Sequence, residues 1–360
     1  MKSARGYSII ELLVATTLGL VILAGVLQVF INTKQGYQVQ QSAGRFQENS
    51  RFAIEYLSRY ILLADFWDGV EPNFINFTSG ASPSSGTACP SSGLNSWVVN
   101  PANGIYGYAG GSSTSASSLT EPQACIGSGY VPYSDVLVVR FANPEIYTPT
   151  ACLSGGSIGN CLAVSCPNGD PVAASSSVHG GYWVRSQIGS RAEIFNAATE
   201  TQVQNDLSGE YCNGVLNYQY QTIIFYLQNI DNGEGLAPTL TMLTVQGTQM
   251  VQQPIVDGVE MLKFEYGVDT DNDQVVNQFL PANSVVAWSQ VISVRISMVV
   301  RGDTIDNYKD SQTYQMTESF CYGPQSPCTG QSTGVSYTGY ESYQRRLIVR
   351  EVQIRNRVRG

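Results

Sequence analysis

Apolar and polar positions divide the chain into a helical first part and a β-rich second part. From Tyr7 to Ile31 the sequence is almost entirely apolar, and no proline occurs before Glu71. Beyond that run, apolar residues recur every three or four positions, with charged residues between them, as in an amphipathic helix. The pattern predicts one long helix over 7–64, apolar all round in its first half and amphipathic in its second. The positions expected on its buried face are Phe46, Ala53, Ile54, Leu57, Tyr60, Ile61 and Ala64.

Alternating patterns downstream predict antiparallel strands. Apolar residues occupy every second position in 262–268 and again in 292–300, and an acidic turn separates the two segments. A period of two is typical of strands buried on one face, so we expect two half-buried antiparallel strands. Further strands are indicated at 134–143 and in aromatic and β-branched stretches between 181 and 246. Because the amphipathic half of the helix should pack on this sheet, the expected fold class is α+β.

Composition and charge narrow the class of protein. Charged residues make up 13% of the chain and apolar residues 43%. Gly, Ser, Thr, Asn and Gln fill much of the remainder, which suits strands and turns on an exposed surface better than a cytosolic helical enzyme. The net charge of −9 argues against nucleic-acid binding by the chain as a whole. Six arginines do crowd the last sixteen residues. Apolar residues interleave with them as on a strand, so a structural or inter-subunit role is favoured over DNA binding.

Eight cysteines, all after the apolar run, favour disulfides in an oxidising compartment. Zinc is disfavoured because no C-x-x-C pair occurs and His179 is the only histidine. Short separations favour pairing Cys321 with Cys328 and Cys152 with Cys161, and the remaining four would pair among themselves. The eight cysteines are Cys89, Cys125, Cys152, Cys161, Cys166, Cys212, Cys321 and Cys328.

Two segments are rich in turn-forming residues. Residues 78–131 are of low complexity and are expected to form an irregular surface loop, which a bridge between Cys89 and Cys125 would hold. A second loop zone is expected from Pro144 to Gly180.

The apolar run at the start is long enough to cross a membrane. Its 25 residues would reach about 37 Å as a helix, against about 30 Å of hydrocarbon. Lys2 and Arg5 before the run predict a cytoplasmic N-terminus, with everything after Ile31 outside the cytoplasm. A cleaved signal peptide is disfavoured because no clear A-x-A site follows the run. An ordinary anchor explains every feature except the carboxylate of Glu11 within the apolar part.

The basic residues, Gly6, the aromatic Tyr7, the apolar stretch and Glu11 five positions after the glycine together resemble a type IV prepilin leader. The resemblance implies cleavage between Gly6 and Tyr7 by a prepilin peptidase, and N-methylation of the new Tyr7 amine. Tyr7 stands where the family more often has phenylalanine. The resemblance also implies that Glu11 faces the N-terminal amine of a neighbouring subunit in an assembled pilus.

A second resemblance lies near the other end. The stretch "VDGVEMLKFEYG", its Asp-rich turn, "VISVRISMVVR" and the terminal "RRLIVREVQIRNR" resemble the PilW-like minor pilins and, more loosely, the J-type pseudopilins of type II secretion. The segment from Phe66 to about Tyr211 carries little of this resemblance. Together the patterns and the resemblances divide the chain into a leader (1–6), a transmembrane and assembly helix (7–31), the periplasmic half of the helix (32–65), a Gly/Ser-rich loop region (66–133) and a β-rich globular domain (134–360).

The resemblance implies a non-catalytic minor pilin that primes type IV pilus assembly and ends at the tip, in support of twitching motility, adhesion or DNA uptake. Implied partners are other minor pilins, the major pilin, a pilus-tip adhesin, prepilin peptidase and the inner membrane. The chain would cross the inner membrane once, with a periplasmic domain, and then reach the cell surface in the pilus. The alternatives are a type II secretion pseudopilin and an adhesive or DNA-binding tip module.

Two constellations suggest chemistry of their own. Asp269, Asp271 and Asp273 have the spacing of calcium ligands, although Gln274 replaces the turn glycine of an EF-hand and Leu280 its last acid. A calcium site and an acidic hairpin turn without a metal both remain open, and no other cofactor is expected.

The second constellation is a G-x-S-x-G match at 155–159, centred on Ser157 and followed by Asp170 and His179 in the order of a hydrolase. It lies in a glycine-rich loop rather than between a strand and a helix, so no enzyme is expected.

Overall fold

The computed structural model describes residues 8–77, 97–113, 119, 122–146, 181–187, 190–197, 215–231, 233, 235–246, 249–304, 309–324, 333–337 and 342–358.

A single long helix, α1 (Ile9–Leu63), opens the described chain. Its 55 residues reach about 82 Å at 1.5 Å per residue. Every residue from Ile9 to Lys34 is exposed, and the first buried side chain is that of Ser42. The buried residues of α1 are Ser42, Phe46, Ser50, Ala53, Ile54, Leu57, Ser58 and Ile61, and Tyr60 is half-buried. The predicted helix and its packed second half are therefore confirmed.

Eight of the described strands form the largest sheet, sheet A. They are β1 (Ile75–Phe77), β2 (Ile105–Tyr108), β3 (Val136–Ile146), β4 (Gly181–Gln187), β5 (Arg191–Ala197), β6 (Val215–Asp231), β7 (Leu236–Gln246) and β8 (Gln249–Asp257). The order is β1-β5-β4-β6-β3-β2, with β7 on β6 and β8 on β7. All pairs are antiparallel except β1 with β5. Because β6 has 17 residues, one of its edges pairs first with β4 and then with β7.

Two smaller sheets complete the described fold. Sheet B is antiparallel in the order β10-β9-β11-β15. Its strands are β9 (Val259–Val268), β10 (Gln278–Pro281), β11 (Val291–Thr304) and β15 (Tyr343–Gln353). Sheet C is formed by β12 (Tyr314–Gln315), β13 (Phe320–Gly323) and β14 (Thr333–Ser336), with β13 in the middle. The α+β fold class, with a long helix on an antiparallel sheet domain, is confirmed.

The main hydrophobic core is shared by α1, sheet A and sheet B. Leu57 and Ile61 of the helix pack there with Phe225 of β6, Phe264 of β9 and Ile296 of β11, and all five are at most 1% exposed. A second core lies on the other face of sheet A, and a third lies between sheet B and sheet C. Sheets A and B are therefore covered on both faces over much of their area.

The β9 strand differs from the prediction of half-burial, because all ten of its residues are buried. Leu262 and Phe264 face α1, as the alternation indicates. The opposite face carries Met261 and Lys263, which contact the core beneath sheet C. The prediction of one solvent-facing side was wrong here, because sheet C covers it and ion pairs satisfy its charges. The antiparallel pairing of β9 with β11 is confirmed, although β10 lies between them in the chain.

The region 66–133, which we predicted to be a loop, contributes two short strands and much of the second core. Trp67 and Trp97 are 1% and 4% exposed. Arg140 of β3, itself 3% exposed, fixes the segment 97–103 through its guanidinium, which donates to the carbonyls of Trp97, Val98 and Asn103 at 2.8–3.1 Å. A buried arginine on the neighbouring strand thus orders backbone that carries little local pattern.

Candidate functional site

The N-terminus of α1 places Glu11 in the first helical turn. Ser8 precedes the helix in an extended conformation, with φ −75° and ψ 145°. Its backbone N–H donates to Glu11 Oε2 at 3.4 Å. A carboxylate in the first turn also interacts favourably with the helix dipole. The carboxylate nevertheless stays exposed, and this long bond is the contact that the described residues give it.

The other polar side chains between Ile9 and Ile31 form hydrogen bonds within the helix itself. Thr16 and Thr17 donate their hydroxyls to the carbonyl of Leu13 at 3.0 Å. Gln28 donates to the side chain of Asn32 at 3.2 Å. Such internal bonds make hydroxyl and amide groups tolerable in hydrocarbon. By length and composition α1 is able to cross a membrane, and Glu11 is the one charged residue between Tyr7 and Ile31.

Two of the six C-terminal arginines form buried ion pairs, one near each end of β15. Arg357 donates from Nε to Oδ2 of Asp65, just beyond the end of α1, at 2.7 Å. Its Nη1 donates to the carbonyl of Trp288. Arg345 is 6% exposed and lies beneath sheet C. Arg346, Arg350 and Arg355 are exposed, and Arg359 lies outside the described residues.

Arg345 is the centre of a buried charge network. Its Nε and Nη2 reach the two oxygens of Glu260 at 2.5 and 3.1 Å, and its Nη1 lies 3.4 Å from Asp310 Oδ2. Burial opposes the charge, but the adjacent Glu260 holds the pKa of Arg345 above its usual value. Burial also raises the pKa of Tyr322, whose neutral hydroxyl donates to Glu260 Oε2 at 3.1 Å.

A β-bulge aims Glu260 at this network. In the β9–β11 register, Met261 opposes Val299 and Val259 opposes Val300, so Glu260 is the extra residue. Without the bulge, the alternation would turn Glu260 toward α1 and the main core. The irregularity therefore puts the carboxylate under sheet C, where Arg345 and Arg301 contact it.

A second buried pair joins β9 to the turn before β3. Lys263 contacts Asp135 Oδ1, and Asp135 Oδ2 accepts the backbone N–H of Phe264 at 2.9 Å. The Lys263 ammonium also lies 4.7 Å from the ring centroid of Phe320. Sequence reasoning missed both networks, because their members are far apart in the chain. Lys263 and Asp135 are separated by 128 residues, and Glu260 and Arg345 by 85. No local spacing signals either of them.

The three predicted calcium ligands do come together. Oxygens of Asp269, Asp271 and Asp273 all lie within 4.8 Å of one another, in the loop between β9 and β10. Burial alone would raise the pKa of Asp269, but backbone N–H donors, Gln274 foremost, outweigh it and hold that pKa below its usual value. The loop thus favours the charged form of its most buried acid.

Other candidate residues lie partly outside the described chain. Cys125 and Cys321 are each disulfide-bonded, and the cysteines that pair with them are not among the described residues. Gly6 and Tyr7 lie outside as well, as does the G-x-S-x-G segment with Asp170 and His179. The proposed pairings and the cleavage site stay predictions. The cysteines outside the described residues are Cys89, Cys152, Cys161, Cys166, Cys212 and Cys328.

Comparison with known families gives a match in the C-terminal part of the chain. A family described as Type IV Pilus-assembly protein W matches residues 224–356. This region begins in β6 and includes β7, β8, and all of sheets B and C, but not α1. No curated protein and no solved structure gives a significant match. The similarity connects the C-terminal part of the chain, including the Glu260 network and the acidic loop, with type IV pilus assembly.

Proposed function

We propose that this chain is a minor pilin that takes part in type IV pilus assembly and acts without catalysis. The observation that carries the proposal is the combination of a pilus-assembly match over residues 224–356 with a helix whose first 26 residues, Ile9 to Lys34, stand free of the domain. A helix whose first buried residue is Ser42 leaves its apolar part for a bilayer, and afterwards for other helices.

In this proposal the helix has two successive environments. Before assembly, residues 7–31 cross the inner membrane, with Lys2 and Arg5 on the cytoplasmic side and the β-rich domain in the periplasm. Prepilin peptidase cuts between Gly6 and Tyr7, which exposes a cationic amine at the start of the segment. During assembly the apolar surface of α1 packs against the helices of other minor pilins and of the major pilin.

Glu11 selects and orients the partner helix. A carboxylate within an apolar segment costs up to about 2.5–3.5 kcal/mol at a helix centre, and less near its end. The 3.4 Å bond from Ser8 satisfies it only in part. A cationic amine on a neighbouring subunit supplies the missing opposite charge, because buried charges are stable when paired. The pairing fixes the axial position of one helix against the next.

The test compares two substitutions that differ in one respect. Glu11→Gln keeps an oxygen able to accept the Ser8 N–H and removes only the charge, whereas Glu11→Ala removes both. We expect both variants to be cleaved and folded, but to enter sheared pili at least about tenfold less than the unchanged chain, a factor equivalent to ~1.4 kcal/mol. Immunoblots of sheared pili and of membranes measure the two pools.

Glu55→Gln is the matched control, because Glu55 is an exposed carboxylate on the same helix, paired with Arg51 four residues away. It should enter pili normally. Normal incorporation of Glu11→Gln would refute the charge pairing. In that case the role of Glu11 would be confined to the helix N-terminus.

Deletion of the gene tests the wider function. Loss of surface pili and of twitching motility supports a role in priming assembly. Loss of protein secretion with intact pili would overturn the proposal in favour of a type II secretion pseudopilin. Normal pili with lost attachment or DNA uptake would instead identify an adhesive or DNA-binding tip module.

A further inference from the structure

The loop between β9 and β10 is folded so that three acids meet. Asn272 and Gln274 have positive φ angles of 60° and 68°, which turn the backbone sharply at each. Gln274 therefore adopts the left-handed conformation that a glycine would supply at this position of a calcium loop. Residues 269, 271 and 273 are thereby brought within 4.8 Å of one another.

Asp269 has a buried oxygen without a partner. The residue is 4% exposed, and its Oδ2 accepts the backbone N–H of Gln274 at 2.9 Å. Its Oδ1 is buried and accepts no hydrogen bond. Within the described part of the chain, neither it nor the other two acids forms an ion pair with lysine or arginine. A buried, unpaired carboxylate oxygen beside like charges is costly unless a cation meets it.

We propose that Asp269, Asp271 and Asp273 bind one calcium ion. Carboxylate oxygens are hard ligands, which suit calcium or magnesium. Two oxygens on one calcium ion at 2.3–2.6 Å lie at most about 5 Å apart, which accommodates the full 4.8 Å range here. Magnesium requires near-ideal octahedral geometry and loses its water reluctantly, so a partly exposed loop of three carboxylates suits calcium better. Asp271 and Asp273 are exposed, so water can complete the coordination.

The ion would stiffen the edge of sheet B. The Asp269 N–H donates to the carbonyl of Gln290 at 2.9 Å, and the Thr270 N–H donates to Asn277 Oδ1 at 2.6 Å. The start of the loop is thus bonded both to the turn before β11 and to the last residue of the loop, Asn277. Leu280 stands in place of the last acid of an EF-hand, so we expect the weak affinity of extracellular sites, about 0.1–1 mM.

The experiment uses the full chain in detergent, freed of metal with EDTA and dialysed. We expect equilibrium dialysis against ⁴⁵Ca²⁺ to give about one bound ion, and 10 mM CaCl₂ to raise the melting midpoint by about 3–5 °C. Magnesium at the same concentration should give less than half that shift. Asp271→Asn, at an exposed position, should weaken binding by at least about tenfold, since affinity follows ligand charge.

Asp231→Asn is the matched control, because Asp231 is an exposed acid at the end of β6 and accepts the Gly233 N–H at 2.9 Å. It should bind calcium like the unchanged chain. Absence of bound calcium up to 10 mM, or equal loss in the two variants, would overturn the proposal. A larger effect of magnesium than of calcium would overturn the assignment of the ion. None of these outcomes bears on Glu11 or on pilus assembly.

Discussion

Replacement of Arg345 with methionine tests whether the buried charges beneath sheet C stabilise the fold. The guanidinium is 0% exposed and forms a two-point contact with Glu260, while the Asp310 side chain, also 0% exposed, lies 3.4 Å away. Methionine has a similar length and no charge. Arg345→Met therefore leaves two buried carboxylates without the cation that they share, with little change in packing volume.

The distances between the charges give the loss of folding stability expected for Arg345→Met. At an effective dielectric constant of about 20, two unit charges near 3 Å attract each other by roughly 5 kcal/mol. Desolvation of each ion costs several kcal/mol and offsets this attraction, so the intact network has a small net effect on stability. Removal of one member costs about 3–5 kcal/mol, because it leaves a buried charge unpaired. Arg301 stays 3.4 Å from Glu260 and Tyr322 still donates to it. These contacts place the expected loss near the lower value, about 3 kcal/mol.

Thermal unfolding of the full chain in detergent, followed by near-ultraviolet circular dichroism, measures the loss. For a large domain, about 2 °C accompanies each kcal/mol, so the midpoint should fall by about 6 °C. Arg346→Met is the control, because the neighbouring residue on β15 is exposed and its removal should shift the midpoint by no more than about 1 °C.

A double variant separates pairing from packing. Glu260→Gln with Arg345→Met removes a charge of each sign, so we expect it to melt above the temperature predicted from the sum of the two single changes. The reasoning is refuted if Arg345→Met melts within one degree of Arg346→Met. It is equally refuted if the double variant loses the full sum, since the two side chains would then act independently.

Three further changes test the packing and charge of the domain. Leu57→Ala, at a fully buried position of α1, should cost about 2–5 kcal/mol in the same melting assay, whereas Leu62→Ala, at a position 43% exposed, should cost far less. Gly302→Ala should loosen the helix, because a Cβ there would overlap Ser42 Oγ and lie 3.1 Å from its carbonyl, and Ser42→Ala should restore part of the loss. Burial raises the pKa of Glu265, so the folded state retains a proton that the unfolded state releases, and stability should fall as pH rises from the usual pKa through the raised one. Glu265→Gln should flatten that fall in melting midpoints measured between pH 4 and pH 8.

Features with a local period were predicted well from the sequence. The helix from Ile9 to Leu63 follows from apolar spacing and the absence of proline, and its buried face follows from positions such as Phe46 and Leu57. The pairing of β9 with β11 follows from two alternating segments that are close in the chain. Such patterns are visible because each residue's environment repeats at a fixed short interval.

Features set by distant residues were not predicted. The alternation of apolar and polar residues in β9 suggested that only one face of the strand is buried. Sheet C, whose strands lie between Tyr314 and Ser336, covers the other face. The direction of Glu260 depends on a bulge that lies beside Gly258, whose φ is 80°, and a glycine alone does not indicate which neighbouring side chain changes face. Arg140 orders the segment 97–103 through backbone carbonyls, which have no sequence signature at all. The acidic loop lies between these cases, because its spacing is local but the burial of Asp269 is not.

Three carboxylates in apolar or buried surroundings differ in where their partners come from. Glu260 finds cations and a hydroxyl within its own domain, so its charge is explained by the folded chain alone. Asp269 has one satisfied and one unsatisfied oxygen, and it lies where an ion could supply what is missing. Glu11 has a single long bond to Ser8, on the segment Ile9–Lys34 of the helix, which is exposed throughout. An apolar environment does not tolerate an unpaired charge, so we propose that the partner of Glu11 comes from another molecule, which would connect one acid on an exposed helix segment with assembly.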